Sequence, residues 1–279
     1  MPLEKPAINA TIQAHRMRFK LFTPLADLLD LLCPPICSIC DEVIENSTIN
    51  AGVLCSGCLQ KIVTPDGRFC RRCGGRRVVA TNNPNECHRC RTTGFRFKRA
   101  IALGEYENDL RLLALKTKTD RTGILAISAA RTLAIHRRDD LEEARADYIV
   151  PVPMHRSRRA ERGVNAPDLL AEELGQQLKI PVAKHLVQRI RQTDLQYTLS
   201  RQARAANMSG AFATRAANFW TKLSFRCSPT SLVGKNVLLV DDILTTGSTC
   251  NEITKVLLAA GVRSVTVAVL ARAEGNVHR

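Results

Sequence analysis

The segment from Val237 to Thr249 constrains the fold of this chain most strongly, and it reads Val-Leu-Leu-Val-Asp-Asp-Ile-Leu-Thr-Thr-Gly-Ser-Thr. Its first four apolar residues are typical of a buried strand, and two carboxylates, Asp241 and Asp242, follow at the predicted carboxyl end of that strand. A loop rich in hydroxyl groups then leads into a helical pattern. A buried strand that passes through a short loop into a helix is typical of α/β proteins with a parallel sheet.

The loop after this strand has the chemistry of a phosphate site. A glycine permits a tight turn and a close approach of the backbone, and the N–H groups at a helix start favour an anion. The two carboxylates suit ribose hydroxyls, directly or beside Mg²⁺. The sequence therefore predicts a phosphate site that would suit a ribose 5-phosphate, with phosphate contacts from Thr245, Thr246, Gly247, Ser248 and Thr249. The alternative for the acid pair is that it only keeps the strand end soluble.

Eight of the 11 cysteines form four Cys-x-x-Cys pairs near the other end of the chain. The gaps inside the two halves are 14 and 13 residues, so the unit repeats at a period near 33 residues. Paired knuckles at this spacing are typical of four-thiolate zinc sites. The predicted structural zinc ligands are Cys37, Cys40, Cys55, Cys58, Cys70, Cys73, Cys87 and Cys90.

Two questions about these cysteines stay open at the level of sequence. A disulfide framework is the alternative to zinc, but no secretory signal is evident, so a reducing, cytoplasmic location and zinc are predicted. The spacing fits both sequential pairing and a cross-braced arrangement, in which the first pair joins the third. Cys33, Cys227 and Cys250 are predicted to be small buried apolar residues.

The charge of the chain points towards a polyanionic partner. The formal net charge is +15, and the stretch from Arg68 to Arg99 holds ten Lys/Arg and one acid, Glu86. Basic residues clustered beside zinc knuckles favour nucleic acid, and Phe95 and Phe97 are candidates for stacking on unpaired bases. The alternatives are that both rings pack in the core and that the patch serves acidic proteins.

Three segments are predicted along the chain. Residues 1–32 hold an amphipathic helix, residues 33–95 the cysteine module, and residues 96–279 strands that alternate with helices. The first segment is predicted to pack rather than span a membrane, and peripheral membrane association stays open. Strands are predicted at 98–106, 147–153, 236–241 and 264–270, and helices at 108–118, 124–136, 165–178 and 248–260.

Two further segments hold candidate binding residues of the α/β region. Prolines followed by arginines come after the predicted strand at 147–153, and planar guanidinium groups suit pyrophosphate oxygens. This candidate pyrophosphate loop contains Pro153, His155, Arg156, Arg159 and Arg162. A polar segment further along is a candidate hood over the site, with Gln196, Arg201, Arg204 and Asn207.

The segment from Val237 to Thr249 resembles the signature of phosphoribosyltransferases, which bind phosphoribosyl pyrophosphate (PRPP). Together with the paired knuckles, Val152–Asn165 and Thr193–Phe212, the chain from about Leu31 to Arg272 resembles the ComF family of competence proteins. The resemblance implies a phosphoribosyltransferase-type parallel sheet flanked by helices, behind a small zinc module. The chain departs from the family pattern at Ala166, Thr117 and Thr119.

The resemblance implies a role in natural transformation, in handling incoming single-stranded DNA, with PRPP and Mg²⁺ as ligands. Two alternatives remain: an active phosphoribosyltransferase, in which Asp241 and Asp242 are the catalytic carboxylates, and a zinc-module scaffold for competence proteins. Whether the chain is an enzyme is left open, because a fold does not decide chemistry.

Overall fold

The computed structural model describes residues 34–44, 53–65, 69–76, 87, 90, 93–154, 165–191, 207–214 and 232–273. The predicted N-terminal helix lies outside these residues. The helices are α1 (Ser56–Ile62), α2 (Asn108–Thr119), α3 (Ile124–His136), α4 (Arg138–Glu143), α5 (Ala166–Leu178) and α6 (Ser248–Ala259). The strands are β1 (Arg99–Glu105), β2 (Tyr148–Pro151), β3 (Val187–Arg189), β4 (Phe212–Thr214), β5 (Asn236–Leu244) and β6 (Ser264–Arg272).

Four of the strands form a parallel sheet in the order β1-β6-β5-β2. In the register of the central strands, Val237 of β5 lies between Val265 of β6 and Tyr148 of β2. Helix α6 connects β5 to β6, so these elements form a β-α-β unit. The sheet confirms the predicted α/β class, and its carboxyl edge is where ligands bind in such folds.

Alternate side chains of each strand point to opposite faces of the sheet, and packed residues bury both faces. On one face, Leu239 and Val267 belong to an apolar cluster with Ile253 of α6. On the other, Leu238 and Ala268 pack in a cluster that includes residues of α2, α3 and α5. Burial on both faces explains why the strands are continuous apolar runs rather than alternating patterns.

The two halves of the cysteine module contribute to different faces of this sheet. Cys37 and Cys58 belong to the cluster that holds α2, α3 and α5. Cys70 and Cys73 belong to the cluster that holds α6. The module is therefore built into both cores of the α/β domain among the described residues.

Strand β1 is the edge at which the module meets the sheet. The backbone N–H of Thr64, just beyond α1, donates to the carbonyl of Leu103 over 3.2 Å. A Cβ at Gly104 would lie 2.2 Å from the carbonyl oxygen of Ile62, so only glycine allows this approach. The contact covers part of a strand edge that would otherwise carry open backbone groups.

A short two-stranded antiparallel sheet, formed by β3 and β4, lies beside α6. The N–H of Gly210 ahead of β4 donates to Oε1 of Glu252 on α6 over 2.9 Å. This bond ties the end of the predicted hood to the helix that follows the motif loop.

The motif strand is longer than predicted. Strand β5 continues through Asp241 and Asp242 to Leu244, because Ile243 and Leu244 pair with Ala271 and Arg272 of β6. Strand β6 likewise extends to Arg272 rather than to residue 270. In the part of the chain that the structure describes, no helix is both long and apolar enough to span a bilayer.

Candidate functional site

The predicted phosphate loop is a tight turn between β5 and α6. Gly247 has a φ of +81° and directly precedes the first residue of the helix. A Cβ at Gly247 would lie 2.8 Å from Cε1 of Phe95, so both the backbone angle and the packing require glycine. The hydroxyls of Thr246 and Ser248 are 2.9 Å apart on this turn. The turn therefore gathers hydroxyl groups at a helix N-terminus.

The two carboxylates lie on β5 just before this turn, and both are partly buried. Asp241 Oδ1 accepts the N–H of Asp242 over 3.0 Å, and Asp242 Oδ1 accepts the N–H of Ile243 over 2.7 Å. Burial and then the charge of Asp242 raise the pKa of Asp241 well above its usual range. Oxygen donors of this kind are the ligands that Mg²⁺ prefers.

Three residues that the sequence analysis did not place at the site contact it. Lys118 of α2 lies with Nζ 3.4 Å from Oδ2 of Asp242. The ring of Phe95 packs on Gly247, and Arg272 donates from Nη1 to the carbonyls of Leu244 and Thr245. The position of Arg272 at the end of an apolar strand was a sequence signal for a buried, functional arginine. No feature of the sequence distinguishes Lys118 from the nearby Lys116.

The structure describes only two members of the predicted pyrophosphate loop and hood, Pro153 and Asn207. Pro153 follows β2, and Asn207 accepts a hydrogen bond at its carbonyl from Arg191 Nη2 over 2.8 Å. The rest of the pyrophosphate loop and hood lies outside the described residues, namely His155, Arg156, Arg159, Arg162, Gln196, Arg201 and Arg204. Their assignment stays a prediction.

The cysteines assemble sequentially into two four-sulfur clusters. The first cluster is Cys37, Cys40, Cys55 and Cys58, and the second cluster is Cys70, Cys73, Cys87 and Cys90. In each, all four sulfurs lie within 4.8 Å of one another, which settles the pairing against the cross-braced alternative for this structure.

The spacing of the sulfurs fits tetrahedral zinc. A Zn–S bond of about 2.3 Å places neighbouring sulfurs about 3.8 Å apart. The observed separations are 3.7 Å for Cys40 and Cys55, 3.7 Å for Cys70 and Cys90, and 3.4 Å for Cys73 and Cys87. Both clusters therefore have the donor set and the geometry of structural zinc sites.

Each cluster favours a thiolate through its knuckle hydrogen bonds. Burial opposes ionisation of Cys37, but N–H groups of Cys40, Cys55 and Ile39 outweigh it and lower the pKa of Cys37 to about 6. A hydrogen bond from Cys73 does most to lower the pKa of Cys70 to about 4. In the same clusters, burial does most to raise the pKa of Cys58, and the hydrogen bond with Cys70 does most to raise the pKa of Cys73. One sulfur in each cluster is therefore favoured as the thiolate that binds metal, and zinc binding would displace the protons of the others.

The aromatic residues of the basic segment are part of the core. Phe95 and Phe97 are buried and stack on each other, with ring centroids 4.8 Å apart. Of the two alternatives for these rings, packing in the core is confirmed, and stacking on unpaired bases is wrong because the rings are buried. Arg96 and Lys98, which flank Phe97 in the chain, are exposed, as is Arg71 in the second cluster's first knuckle.

The predicted burial of Cys250 is confirmed. It is 1% exposed, and its Sγ lies 3.9 Å from Oδ2 of Asp241. Cys33 and Cys227 lie outside the described residues.

Comparisons with known proteins agree with this architecture. The family model of the phosphoribosyl transferase domain matches residues 170–277, and that of the double zinc ribbon domain matches residues 28–93. Competence protein F of Haemophilus influenzae is 31% identical over 223 residues, which cover 79% of this chain and 90% of that protein. DNA utilization protein YhgH of Escherichia coli (strain K12) is 29% identical over 245 residues, which cover 87% of this chain and 99% of that protein.

A solved structure of glutamine PRPP amidotransferase from B. subtilis, complexed with ADP and GMP, aligns with a TM-score of 0.28 and 18% identity. The alignment covers 44% of this chain and 22% of that one.

Fold and site define a protein in which a phosphoribosyltransferase-type domain is joined to a double zinc ribbon. The sequence similarity to competence protein F, which extends over most of both chains, identifies the family: the chain belongs to the ComF family of competence proteins. Structural zinc is the cofactor that the ribbon implies and that both cysteine clusters fit.

Proposed function

We propose that this protein binds PRPP with Mg²⁺ at the carboxyl end of β5 and acts in the handling of incoming single-stranded DNA during natural transformation, on the cytoplasmic side of the membrane. The observation that carries the PRPP assignment is the turn at Gly247, which presents hydroxyls and helix N–H groups directly after two carboxylates. This combination suits a phosphate on one side and a ribose on the other.

Each part of the ligand has residues suited to it. The loop from Thr245 to Thr249 would hold the 5-phosphate, and Asp241 and Asp242 would accept the ribose hydroxyls and hold Mg²⁺. When bound, Mg²⁺ would supply positive charge against the pyrophosphate oxygens. The arginines at 156, 159 and 162 are proposed as further pyrophosphate ligands.

The DNA part of the proposal relies on phosphate contacts rather than on base stacking. Arg71, Arg96 and Lys98 are exposed, and the last two flank the buried ring of Phe97 in the chain. They belong to a stretch with a large positive excess. Such a surface attracts any polyanion, and contacts to phosphates make the affinity fall steeply as salt rises. The names of the relatives, competence protein F and DNA utilization protein YhgH, support a DNA-related role.

Calorimetric titration of PRPP with Mg²⁺ into zinc-loaded protein tests the ligand directly. We expect binding to the intact chain and its loss in an Asp241→Asn/Asp242→Asn double variant. Exchange of two carboxylates for amides keeps the shape and removes the charge that Mg²⁺ needs. Absence of binding to the intact protein would reject the PRPP assignment and leave a protein-docking role for the zinc ribbon.

An active phosphoribosyltransferase is the second candidate, favoured by the position of the acid pair beside the phosphate loop. Carboxylates there would stabilise positive charge that develops at C1 of the ribose as pyrophosphate leaves. Release of pyrophosphate with a nucleobase or amine would identify it. If PRPP binds but no pyrophosphate is released with any of a broad panel of acceptors, the enzyme hypothesis is rejected, and PRPP is a ligand or regulator.

A further inference from the structure

The two zinc clusters contact different parts of the α/β domain, and only the second is seen to reach the phosphate loop among the described residues. We infer that Arg272 is a positioning residue that makes the shape of the phosphate loop depend on the second cluster and its metal. The inference deepens the proposed function, since it uses PRPP as the ligand of that loop.

Arg272 is the physical link between the cluster and the loop. Its side chain is 1% exposed and lies between a zinc knuckle and the turn after β5. Nε donates to the carbonyl of Cys73 over 3.0 Å, and Nη1 donates to the carbonyls of Leu244, over 2.5 Å, and Thr245. One buried guanidinium thus fixes a backbone atom of a zinc ligand relative to the first residue of the loop.

The carbonyl that Arg272 uses on the cluster side belongs to a turn shaped for the metal. In this knuckle the N–H of Gly74 donates to the backbone carbonyl of Cys70 over 2.8 Å. The N–H of Cys70 donates to the carbonyl of Gly75, also over 2.8 Å. Zinc holds both cysteine sulfurs of such a turn, so metal loss would release the carbonyl that Arg272 needs.

Phe95 provides a second, independent connection. It lies five residues after Cys90, and its ring is the surface on which Gly247 packs. Arg72, inside the second cluster's first knuckle, donates from Nη2 to the carbonyl of Phe95 over 2.5 Å. The next N–H, that of Arg96, donates to Oδ1 of Asn251 on α6 over 2.5 Å. The knuckle therefore braces both ends of the turn that starts α6.

The first cluster is attached elsewhere. Lys116 of α2 donates to the carbonyl of Ser38 over 2.6 Å. Arg137, which is 4% exposed, donates to the carbonyls of Ala102, Leu103 and Thr64 beside β1. Arg137 is thus a second buried arginine that clamps carbonyls between the ribbon and the sheet, and its guanidinium also lies 5.6 Å from the centroid of the Phe69 ring, next to Cys70. Because its carbonyl partners lie beside β1 rather than at the phosphate loop, it provides a control for the loss of a buried guanidinium.

The decisive experiment compares Arg272→Met with Arg137→Met in the full-length, zinc-loaded protein. Both substitutions remove a buried guanidinium and keep much of its volume. We expect Arg272→Met to weaken PRPP·Mg²⁺ binding on the order of ten- to a hundredfold by calorimetry, because a loop misplaced by an ångström loses its contacts. Arg137→Met should bind within about twofold of the wild type. Arg272→Lys should restore part of the affinity.

Cysteine variants test the metal side of the link. Cys87→Ser and Cys40→Ser each disrupt one cluster, and a zinc assay should find one ion fewer per chain in both. We expect Cys87→Ser to weaken PRPP binding at least about fivefold more than Cys40→Ser. Equal effects of the two variants, or an Arg272→Met protein that binds PRPP like the wild type, would overturn the inference.

Hydrogen exchange in the absence of PRPP separates this inference from the proposed function. The amides of Thr245 to Thr249 should exchange faster in Arg272→Met and Cys87→Ser than in Arg137→Met, whether or not PRPP is the ligand. Faster exchange without PRPP binding in any protein would reject the ligand and keep the link. Unchanged exchange at this loop would reject the link, even if PRPP binds the wild type. Faster exchange across the whole chain would identify a variant that fails to fold.

Discussion

At the scale of single residues, Gly247 carries two constraints at once. Its φ of +81° is a conformation that L-residues with a side chain rarely adopt, and Phe95 occupies the space that a Cβ would need. Gly234, in the turn before β5, has a similar φ of +74° but a nearest contact of 3.8 Å from its virtual Cβ to Arg263. A comparison of these two glycines therefore separates the cost of backbone strain, which both share, from the cost of a steric clash, which only Gly247 would have.

Gly247→Ala should therefore destabilise the protein more than Gly234→Ala. We expect about 1 kcal/mol of strain in both, and on the order of 1–2 kcal/mol more at position 247 from displacement of the Phe95 ring. Urea unfolding measures both values, and calorimetry should show PRPP binding lost only in Gly247→Ala. Equal destabilisation of the two variants would mean that the Phe95 contact carries no weight.

Lys118 tests the electrostatics of the acid pair. Its ammonium lies 3.4 Å from Oδ2 of Asp242 and competes with any cation for that carboxylate. In Lys118→Met we expect Mg²⁺ to bind the PRPP-free protein several-fold more tightly, about three- to tenfold for the loss of one partly screened charge. The control is Lys116→Met on the same helix, whose Nζ contacts the carbonyl of Ser38 instead. Weaker Mg²⁺ binding in Lys118→Met would contradict this role.

At the scale of elements, helix α3 begins with a carboxylate cap from outside the helix. Asp120 accepts the N–H of Leu125 over 2.9 Å and that of Thr122 over 2.8 Å. Burial opposes its ionisation, but the Thr122 hydroxyl and nearby N–H groups outweigh burial and lower the pKa of Asp120. Since the folded pKa lies below that of the unfolded chain, the stabilisation is present above about pH 4 and is lost as pH falls through the folded value.

Asp120→Asn should lower the free energy of unfolding at pH 7 by about 0.5–1 kcal/mol, as expected for a weakened cap. The difference from wild type should shrink as pH falls below about 4, because the wild-type carboxyl then becomes protonated. Urea unfolding across this pH range measures it. Asp139→Asn, which changes an exposed carboxylate at the start of α4, is the control for an Asp-to-Asn exchange away from this cap.

The element boundaries show which signals in the sequence were sufficient. Helix α3 begins and ends where its pattern predicts, since Gly123 precedes it and its apolar residues recur with helical spacing. Strand β5 runs past the acid pair because backbone pairing with β6 continues whatever the side chains are. A strand end that is set by the partner strand cannot be predicted from the polarity of its own residues.

At the scale of the whole molecule, the zinc ribbon is part of both hydrophobic cores. Knuckle cysteines from the two clusters are buried on opposite faces of one sheet. We therefore expect zinc removal by a strong chelator to lower the melting temperature of the entire chain rather than to unfold a separate module. A melting curve with an unchanged transition for the α/β domain after zinc loss would contradict this.

The positive surface predicts a salt-dependent interaction with single-stranded DNA. The logarithm of the affinity should fall linearly with the logarithm of salt concentration, with a slope of about −0.7 for each phosphate contacted. Arg96→Glu should weaken DNA binding and reduce the slope. Arg111→Glu, an equal charge change at an exposed position of α2, should change both quantities less. Fluorescence anisotropy over a salt series gives both quantities, and salt-independent binding would reject phosphate contacts.

The sequence by itself determined the parts of this protein whose information is local. Knuckle spacing predicts thiolate sites, and an apolar run followed by acids, hydroxyls and a glycine predicts a strand, an anion-binding turn and a helix. Tertiary structure alone decided which knuckles share a cluster, that Phe95 and Phe97 pack inward, and that Lys118 and Arg272 reach the site. These contacts join residues far apart in the chain, and the packing of two cores around one sheet sets them, which no local pattern encodes.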